Sequence, residues 1–508
     1  MVRGPRMQYG FVIDHTRCIG CHACTTACKS ENDVPVGSFR TWVKYTEVGL
    51  FPNVRRHFAV LRCNHCTSAP CVTICPVTAL HKRKDGIVDL DRDVCIGCKA
   101  CMQACPYDAL YLNEEKGCAE KCHFCAHRIE QNLEPACVVV CPERAILVGD
   151  FSNPNDPVTQ MKQRQDALVR RAEQGTGPNV TYVGAHKATL DPGKSKEPTS
   201  YLWSERREAP PDWPQDRPDV YPNTTHVLDV HHQVVWGWKV NLYLVTKGIG
   251  AGAALLAPFL HRLGVTGFAE LWLPELLALV FTSITTLLLV ADLKRPAKFL
   301  SLLLRPNTKS WLVKGAWVLM SFSGAAFVAL AARWLGYPAV ADATRWVCAF
   351  LAIFAAGYTA FLFAQCEGRD LWQHQTRLFP HLLAQAVLGA AVAFLPFAQN
   401  LPLAWIALGA ALCHLAFALL DAFGKHGTDN ARQAALLLPR IPLRKGSKLR
   451  AFSEGLQFTT AAALLCVVLA GFGFLHAPVA TLLAVATWMG LYWFEQAFVR
   501  AGQLPPLS

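Results

Sequence analysis

Apolar residues are scattered over the first 235 positions and then dominate the chain. Between 236 and 499 they gather into eight runs, near 236–260, 271–291, 311–333, 346–366, 380–399, 402–422, 453–475 and 478–499. A helix needs about 20 apolar residues to cross a hydrocarbon layer of ~30 Å. The pattern therefore predicts an all-α bundle of eight transmembrane helices over 236–499, with the lipid bilayer as its solvent and 500–508 as a tail. Gly248, Gly250 and Gly252 stand close together in the first run, a spacing that lets helices approach tightly in lipid.

The polar half divides in two. In 1–150 the elements are short; FAVLRC (58–63) and GIVDL (86–90) predict strands of small hairpins. Over 151–235 charges are many, aliphatics are few, and ten prolines fall between Pro154 and Pro222. This predicts an extended linker that wraps the head and leads into the membrane. Within it, 159–173 predicts one helix, with Leu168 and Val169 among charges.

Composition sharpens the head. The chain has 508 residues and 21 cysteines, and sixteen of these form four runs of four. They are Cys18, Cys21, Cys24, Cys28; Cys63, Cys66, Cys71, Cys75; Cys95, Cys98, Cys101, Cys105; and Cys122, Cys125, Cys137, Cys141. The first and third read C-x2-C-x2-C-x3-C. Three of the four closing cysteines precede proline, at Pro76, Pro106 and Pro142. That is the bacterial ferredoxin signature, in which three close thiolates reach three irons of one cubane and the fourth reaches a neighbouring cluster. Four runs predict four [4Fe-4S] clusters, held in pairs, in an α+β ferredoxin-like head whose fold leans on metal more than on a large apolar core. Disulfides fit two-residue gaps poorly, and zinc sites use pairs rather than repeated runs of four. Cys118 lies outside the pattern and reads as a spare thiol.

The formal charge is +12, but a cubane held by four thiolates is an anion, so the assembled head is more acidic than this figure. Nucleic acid is excluded as a partner on that ground. The opening MVRGPRMQYGFVIDHTRC has no apolar core and no twin arginine, so no export signal is visible. With eight spans, the head, the even-numbered loops and the C-terminus share one side. That side carries sixteen basic residues, among them Lys294, Arg295, Lys298, Arg369, Arg377 and Arg440; the other has Arg262, Arg333 and Arg345. The positive-inside rule then predicts a bacterial inner-membrane protein with its head and C-terminus in the cytoplasm. A docking surface for an acidic head would give the same bias.

Over 7–150 the head resembles the four-cluster ferredoxin subunits of molybdopterin oxidoreductases of the dimethyl-sulfoxide, polysulfide and sulfite enzyme type, with all sixteen cysteines matching. The likeness continues weakly through GDFSNPND (149–156) and GTGPNVTY (175–182). The resemblance implies that run one pairs with run four, and run two with run three. The ligand sets would be Cys18/Cys21/Cys24/Cys141, Cys28/Cys122/Cys125/Cys137, Cys63/Cys66/Cys71/Cys105 and Cys75/Cys95/Cys98/Cys101, the last nearest the membrane. With Cys98 present, a full cubane is implied where some relatives hold three irons. The membrane half resembles NrfD-type, polysulfide-reductase-like quinone subunits through WGWKVNLYLVTKGIGAGAAL (236–255), DLKRPAKFLSLLLRPNTKSW (292–311) and YTAFLF (358–363). Such subunits bind quinone near the head and carry no haem. The chain departs from them at Lys247, where small or apolar residues are usual, and at Asp370, where proline is frequent. It also joins head and membrane part, which are usually separate polypeptides.

Lys239, Asn241 and Tyr243 fall in the first two turns of span one. By resemblance, Tyr243 stands at a polar quinone-contacting position and Tyr358 at a quinone tyrosine; with Asn241 these are the quinone-binding candidates. Interfacial aromatics also serve as plain anchors. Ionisable groups inside lipid are costly and point to function; here they are Lys247, Glu275, Asp292, His414, Asp421 and Glu495. Lys247, Asp292 and Asp421 are the proton-relay candidates, with Lys247 expected to pair with a carboxylate of another helix. Counted along their own helices, His381 and His414 differ by over two turns in depth, so no haem is expected. No catalytic residue is identified. The resemblance implies a redox subunit that passes electrons between a separate molybdopterin catalytic subunit, such as a sulfite dehydrogenase, and the quinone pool. The alternatives are a proton-coupling module of a quinol-oxidising assembly and a membrane tether for a ferredoxin.

Overall fold

A computed structural model describes residues 7–196, 219–230, 232–444 and 446–508; the proline-rich part of the linker at 197–218 lies outside them. The head is built on small sheets. Its strands are β1 (Tyr9–Asp14), β2 (Thr41–Leu50), β3 (Asn53–Arg62), β4 (Leu80–Lys82), β5 (Val88–Leu90), β6 (Leu110–Asn113), β7 (Cys118–Lys121), β8 (Ile146–Asp150), β9 (Ala167–Leu168), β10 (Val180–Val183) and β11 (Thr224–Leu228). One sheet has the order β8-β1-β10-β9, a second β11-β2-β3, and β4-β5 and β6-β7 are hairpins. The β4-β5 hairpin is small, as expected, but β2 and β3 pair over ten residues each. In β1 the buried run Phe11, Val12, Ile13 is sandwiched between antiparallel β8 and parallel β10.

The segment after residue 150 is thus woven into the head, since β10 completes the β1 sheet and β11 adds to β2. The helix expected over 159–173 is corrected. A helix covers only Pro157–Lys162, capped by Asp156 accepting from the Val158 amide. The chain then turns, and Ala167–Leu168 pairs with β10. Sheet pairing outweighs weak helical propensity there.

The repeat C-I-G-C-x-A-C is visible in the backbone. Gly20 and Gly97 both have φ near +70°, and His22 and Lys99 follow at φ 61° and 64°. A Cβ on Gly97 would lie 2.7 Å from the Gly117 carbonyl, so only glycine fits. Each loop leads into a helix, Ala23–Asn32 or Ala100–Ala104.

Among the described residues, eight helices are long and apolar enough to cross a membrane: α1 (Trp238–Leu256), α2 (Leu273–Asp292), α3 (Trp311–Trp334), α4 (Pro338–Ala364), α5 (Gln375–Ala398), α6 (Leu401–Phe423), α7 (Ala451–Gly471) and α8 (Ala477–Gln503). Helix α1 is the hub, packed on α2, α4, α5 and α8. At its tightest approach a Cβ on Gly252 would fall 1.9 Å from the Ala386 carbonyl of α5. Leu287, Phe327, Phe350 and Leu482 point outward from the bundle, as lipid-facing positions do. The head is docked on the ends of these helices. Arg295 donates to the carbonyls of Lys116 and Arg92, Asn307 to that of Cys75, and Gly368 packs against Cys105.

Candidate electron-transfer chain and quinone pocket

The sixteen cysteines converge in sets. One cavity is lined by Cys18, Cys21, Cys24 and Cys141, a second by Cys28, Cys122, Cys125 and Cys137, and a third by Cys63, Cys66, Cys71 and Cys105. The remaining four face one another, since the Cys101 thiol feels Cys98, Cys95 and Cys75. It also feels Cys71 of the third set. None of the sixteen is in a disulfide.

The donor sets fit a multi-iron group. Among the described residues, no three His, Cys, Asp or Glu side chains close on a single ion, whereas the cysteines of the first three sets each line one small cavity. Burial pushes the thiols up, to about 11 for Cys24 and Cys125 and to about 12 for Cys66 and Cys98, and neighbouring thiolates add to the rise. Crowded, desolvated thiolates repel one another, and a cationic iron core relieves this. Arg62 supplies a fixed cation. It is wholly buried, donates to Cys137 Sγ at 3.2 Å and stacks 4.4 Å over the Phe11 ring. Asn32 reaches Cys28 Sγ at 3.6 Å. Cys118 is fully buried in β7, outside the four sets.

A cavity of about 370 Å³ opens where the head meets the bundle, lined by Cys98, Ile96, Tyr243, Asp292, Tyr358 and Leu362 among others. Its walls are almost wholly apolar, with a few polar groups, as small-molecule sites usually are. Tyr243 and Tyr358 therefore share a pocket with a cluster-set cysteine. Asn241 does not join them. It lines a separate polar cavity of about 540 Å³ with Tyr492, Arg369 and Arg500; its position two residues before Tyr243 turns it to another face of α1.

The ionisable candidates also find their places. Asp292 pairs at 2.8 Å with Lys99, a head residue between Cys98 and Cys101. Lys247 feels the carboxylate of another helix, Glu495 of α8, as expected, but hydrogen-bonds elsewhere. Its Nζ donates to the Ala356 carbonyl at 2.8 Å and to Thr359 Oγ1 at 2.5 Å, and lies 4.6 Å over the Tyr358 ring. Glu275 forms a two-bond ion pair with Arg345, at 2.6 and 3.0 Å, at the end of the bundle away from the head. His381 and His414 are not two turns apart. Their rings meet, with Nε2 of one 2.8 Å from Nδ1 of the other, because α5 and α6 run antiparallel. Metal–imidazole bonds of about 2 Å would hold two such nitrogens about 4 Å apart; this pair hydrogen-bonds directly.

Some contributors were not legible in the sequence. Lys99 carried no signal beyond standing among cysteines. Asp370 is met by Arg171 at 3.4 Å and by Gln174 at 3.1 Å, which ties the segment after the head to the α4–α5 loop. Gln103, Arg369, Gln503 and the Trp236 backbone form one buried hydrogen-bonded node between head and membrane.

Similarity to known proteins follows the same division. A profile described as a 4Fe-4S dicluster domain matches residues 54–151, and a 4Fe-4S binding domain matches 15–37. A tetrathionate reductase subunit of Salmonella typhimurium is 43% identical over 205 residues, covering 40% of the present sequence and 82% of that protein. The head places this protein in that family of reductase subunits. A polysulfide reductase component of Wolinella succinogenes, 37% identical over 179 residues, is covered to 94% by 35% of the present sequence. The iron-sulfur subunit of the arsenate respiratory reductase of a Shewanella species is 34% identical over 225 residues, with 35% and 96% covered. Further along, residues 226–400 match a profile described as polysulphide reductase, NrfD. The protein is thus an iron–sulfur head fused to an NrfD-type, multi-pass membrane region.

Proposed function

We propose that this chain is the electron-transfer and quinone-reacting membrane subunit of a molybdopterin oxidoreductase. The observation that carries the reading is the shared cavity: Cys98 of the fourth cysteine set lines the same pocket as Tyr243 and Tyr358. The four sets hold four [4Fe-4S] clusters, which when bound supply one-electron steps. Tyr243 and Tyr358 orient the quinone, with their hydroxyls toward its carbonyl oxygens. Lys247, Asp292 and Asp421 handle protons. Asn241, in the polar cavity, drops out of the quinone-binding set.

Substrate chemistry belongs to a separate catalytic subunit. Relatives named for tetrathionate and polysulfide favour a sulfur compound, such as a sulfur oxyanion, as that subunit's substrate. Orientation rests on the basic bias. Lys294, Arg295 and Lys298 bind the head, so part of the bias is docking. The excess survives without them, which supports a cytoplasmic head in the bacterial inner membrane and, with it, electron delivery to quinone.

Iron and sulfide analysis of the purified protein tests the cluster number. About sixteen of each per polypeptide are expected; about eight would leave two cysteine sets empty and refute the four-cluster reading.

A further inference from the structure

A line of buried polar groups crosses the head-side half of the bundle beside the quinone pocket. At its outer end, Asp421 in the last turn of α6 lies 3.9 Å from Arg377 and 3.6 Å from His381 Nδ1. His374 and His426, half-buried, stand at the same surface, and His426 contacts the Asp421 carbonyl. Inside, His381 is 2.8 Å from His414, whose Nε2 is buried and has no hydrogen-bond partner. The Phe494 ring touches both imidazoles, at 5.2 and 4.7 Å. The next residue, Glu495, contacts Gln385 of α5 and lies within electrostatic range of Lys247 of α1. Lys247 in turn contacts Thr359 and the ring of Tyr358, which lines the pocket. His381, His414, Asp421, Glu495 and Lys247 are each at most 5% exposed. Packing alone does not account for five ionisable groups buried together in a membrane bundle.

We propose that Asp421, His381, His414, Glu495 and Lys247 form a proton-transfer route between the head-side surface and the quinone pocket, a reading that rests on the quinone function above. Reduction of a quinone to a quinol takes two electrons and two protons, and forms two O–H bonds at the carbonyl oxygens. The electrons come from the head. Each proton leaves the inner end of the route, at Lys247 and the Tyr358 side of the pocket, and is replaced through Glu495 and the imidazole pair from Asp421. The unpartnered His414 Nε2 is the inner end of the imidazole pair, from which the route continues toward Glu495, the neighbour of the Phe494 ring that both imidazoles touch. Quinol oxidation runs the same steps backwards. The charged and titratable groups facing the imidazoles are Asp421 from α6, Glu495 from α8 and Arg377 from α5, with His374 and His426 at the surface.

The test uses the full chain with its catalytic partner in membranes, and a water-soluble short-chain quinone. Asp421→Asn and His381→Gln change little volume. Each should lower kcat for quinone reduction at least tenfold, leave quinone KM within twofold, and raise the solvent isotope effect. Asp421→Glu should recover most of the rate, which a merely structural role would not require. Reduction of the head by the partner should be unaffected. Unchanged kcat in both Asp421→Asn and His381→Gln, with quinone still bound, would overturn the route. Failure of the wild-type protein to bind or reduce quinone would instead refute the function on which the route rests.

Discussion

Tyr358→Phe removes one hydroxyl and almost nothing else. The ring is buried, lies under the Lys247 ammonium at 4.6 Å, and packs so closely on α3 that a Cβ at Gly315 would fall 2.2 Å from it. Phenylalanine refills that space and keeps a face for the ammonium, so packing and the cation–π contact are largely retained. On the proposed reading, what is lost is one hydrogen bond to a quinone carbonyl, along with the hydroxyl's contact with the neighbouring Thr359. A neutral hydrogen bond is worth about 0.5–1.5 kcal/mol net, so quinone KM should rise roughly 2- to 12-fold at about 1.4 kcal/mol per decade. The assay compares quinone reduction with reduction of a soluble dye by the partner, which lies upstream and should not change. Gly315→Ala is the companion variant. It forces the ring itself to move, and should raise KM by more than Tyr358→Phe does. An unchanged KM in Tyr358→Phe would make Tyr358 a packing residue and remove it from the quinone site. Loss of dye activity would mean that assembly, not quinone binding, had been disturbed.

Glu275→Gln strips the buried Arg345 guanidinium of its carboxylate; breaking such a pair costs about 3–5 kcal/mol. Thermal unfolding in detergent should show a lower Tm, with quinone KM unchanged because the pair lies at the far end of the bundle; an unchanged Tm would refute the pair's structural role. Arg62→Met removes the buried cation beside Cys137, and the midpoint potential of the adjoining cluster should fall by on the order of 100 mV at an effective dielectric of about 20. A redox titration followed by electron paramagnetic resonance reads this, and no change would mean that the charge is screened. A topology reporter fused after Ser508 should report the cytoplasmic side; a periplasmic signal would reverse the orientation and weaken the preference for electron delivery to quinone.

Most helix boundaries were legible because a membrane demands long apolar runs, and the expected run 311–333 differs from α3 by one residue. Helix α4 departs most, beginning at Pro338 rather than near 346. Its first two turns contain Asp342 and Arg345 and read as a loop. In the fold these charges are met by Arg333 and Glu275, partners that lie 9 and 70 residues away in sequence. The same reason hid the imidazole pair. Depth counted along each helix separately cannot register α5 against α6, and the ring contact depends on that register. The cysteine runs were readable because cubane ligation imposes its spacing on the sequence. Which run joins which came only from the family resemblance, because the fourth ligand of each set arrives from a distant run. Asn241 and Tyr243 line different cavities because nearness in sequence says nothing about which face of α1 a residue occupies.

An apolar seam joins head and bundle, with Ile74, Val77 and Ile96 of the head in one cluster with Trp236, Tyr243 and Leu302. The polar contacts set along it serve position. The Lys99–Asp292 pair anchors the loop carrying Cys98 at the rim of the proposed quinone pocket. The node of Gln103, Arg369 and Gln503 fixes the end of α8 to the helix that follows Cys98. Both sit beside the third cysteine run, whose Cys98 lines the cavity between head and bundle. Lys99→Met should therefore leave iron content unchanged while slowing quinone reduction and not dye reduction. If both rates fell together, Lys99 would be holding the head together rather than aligning it with the pocket.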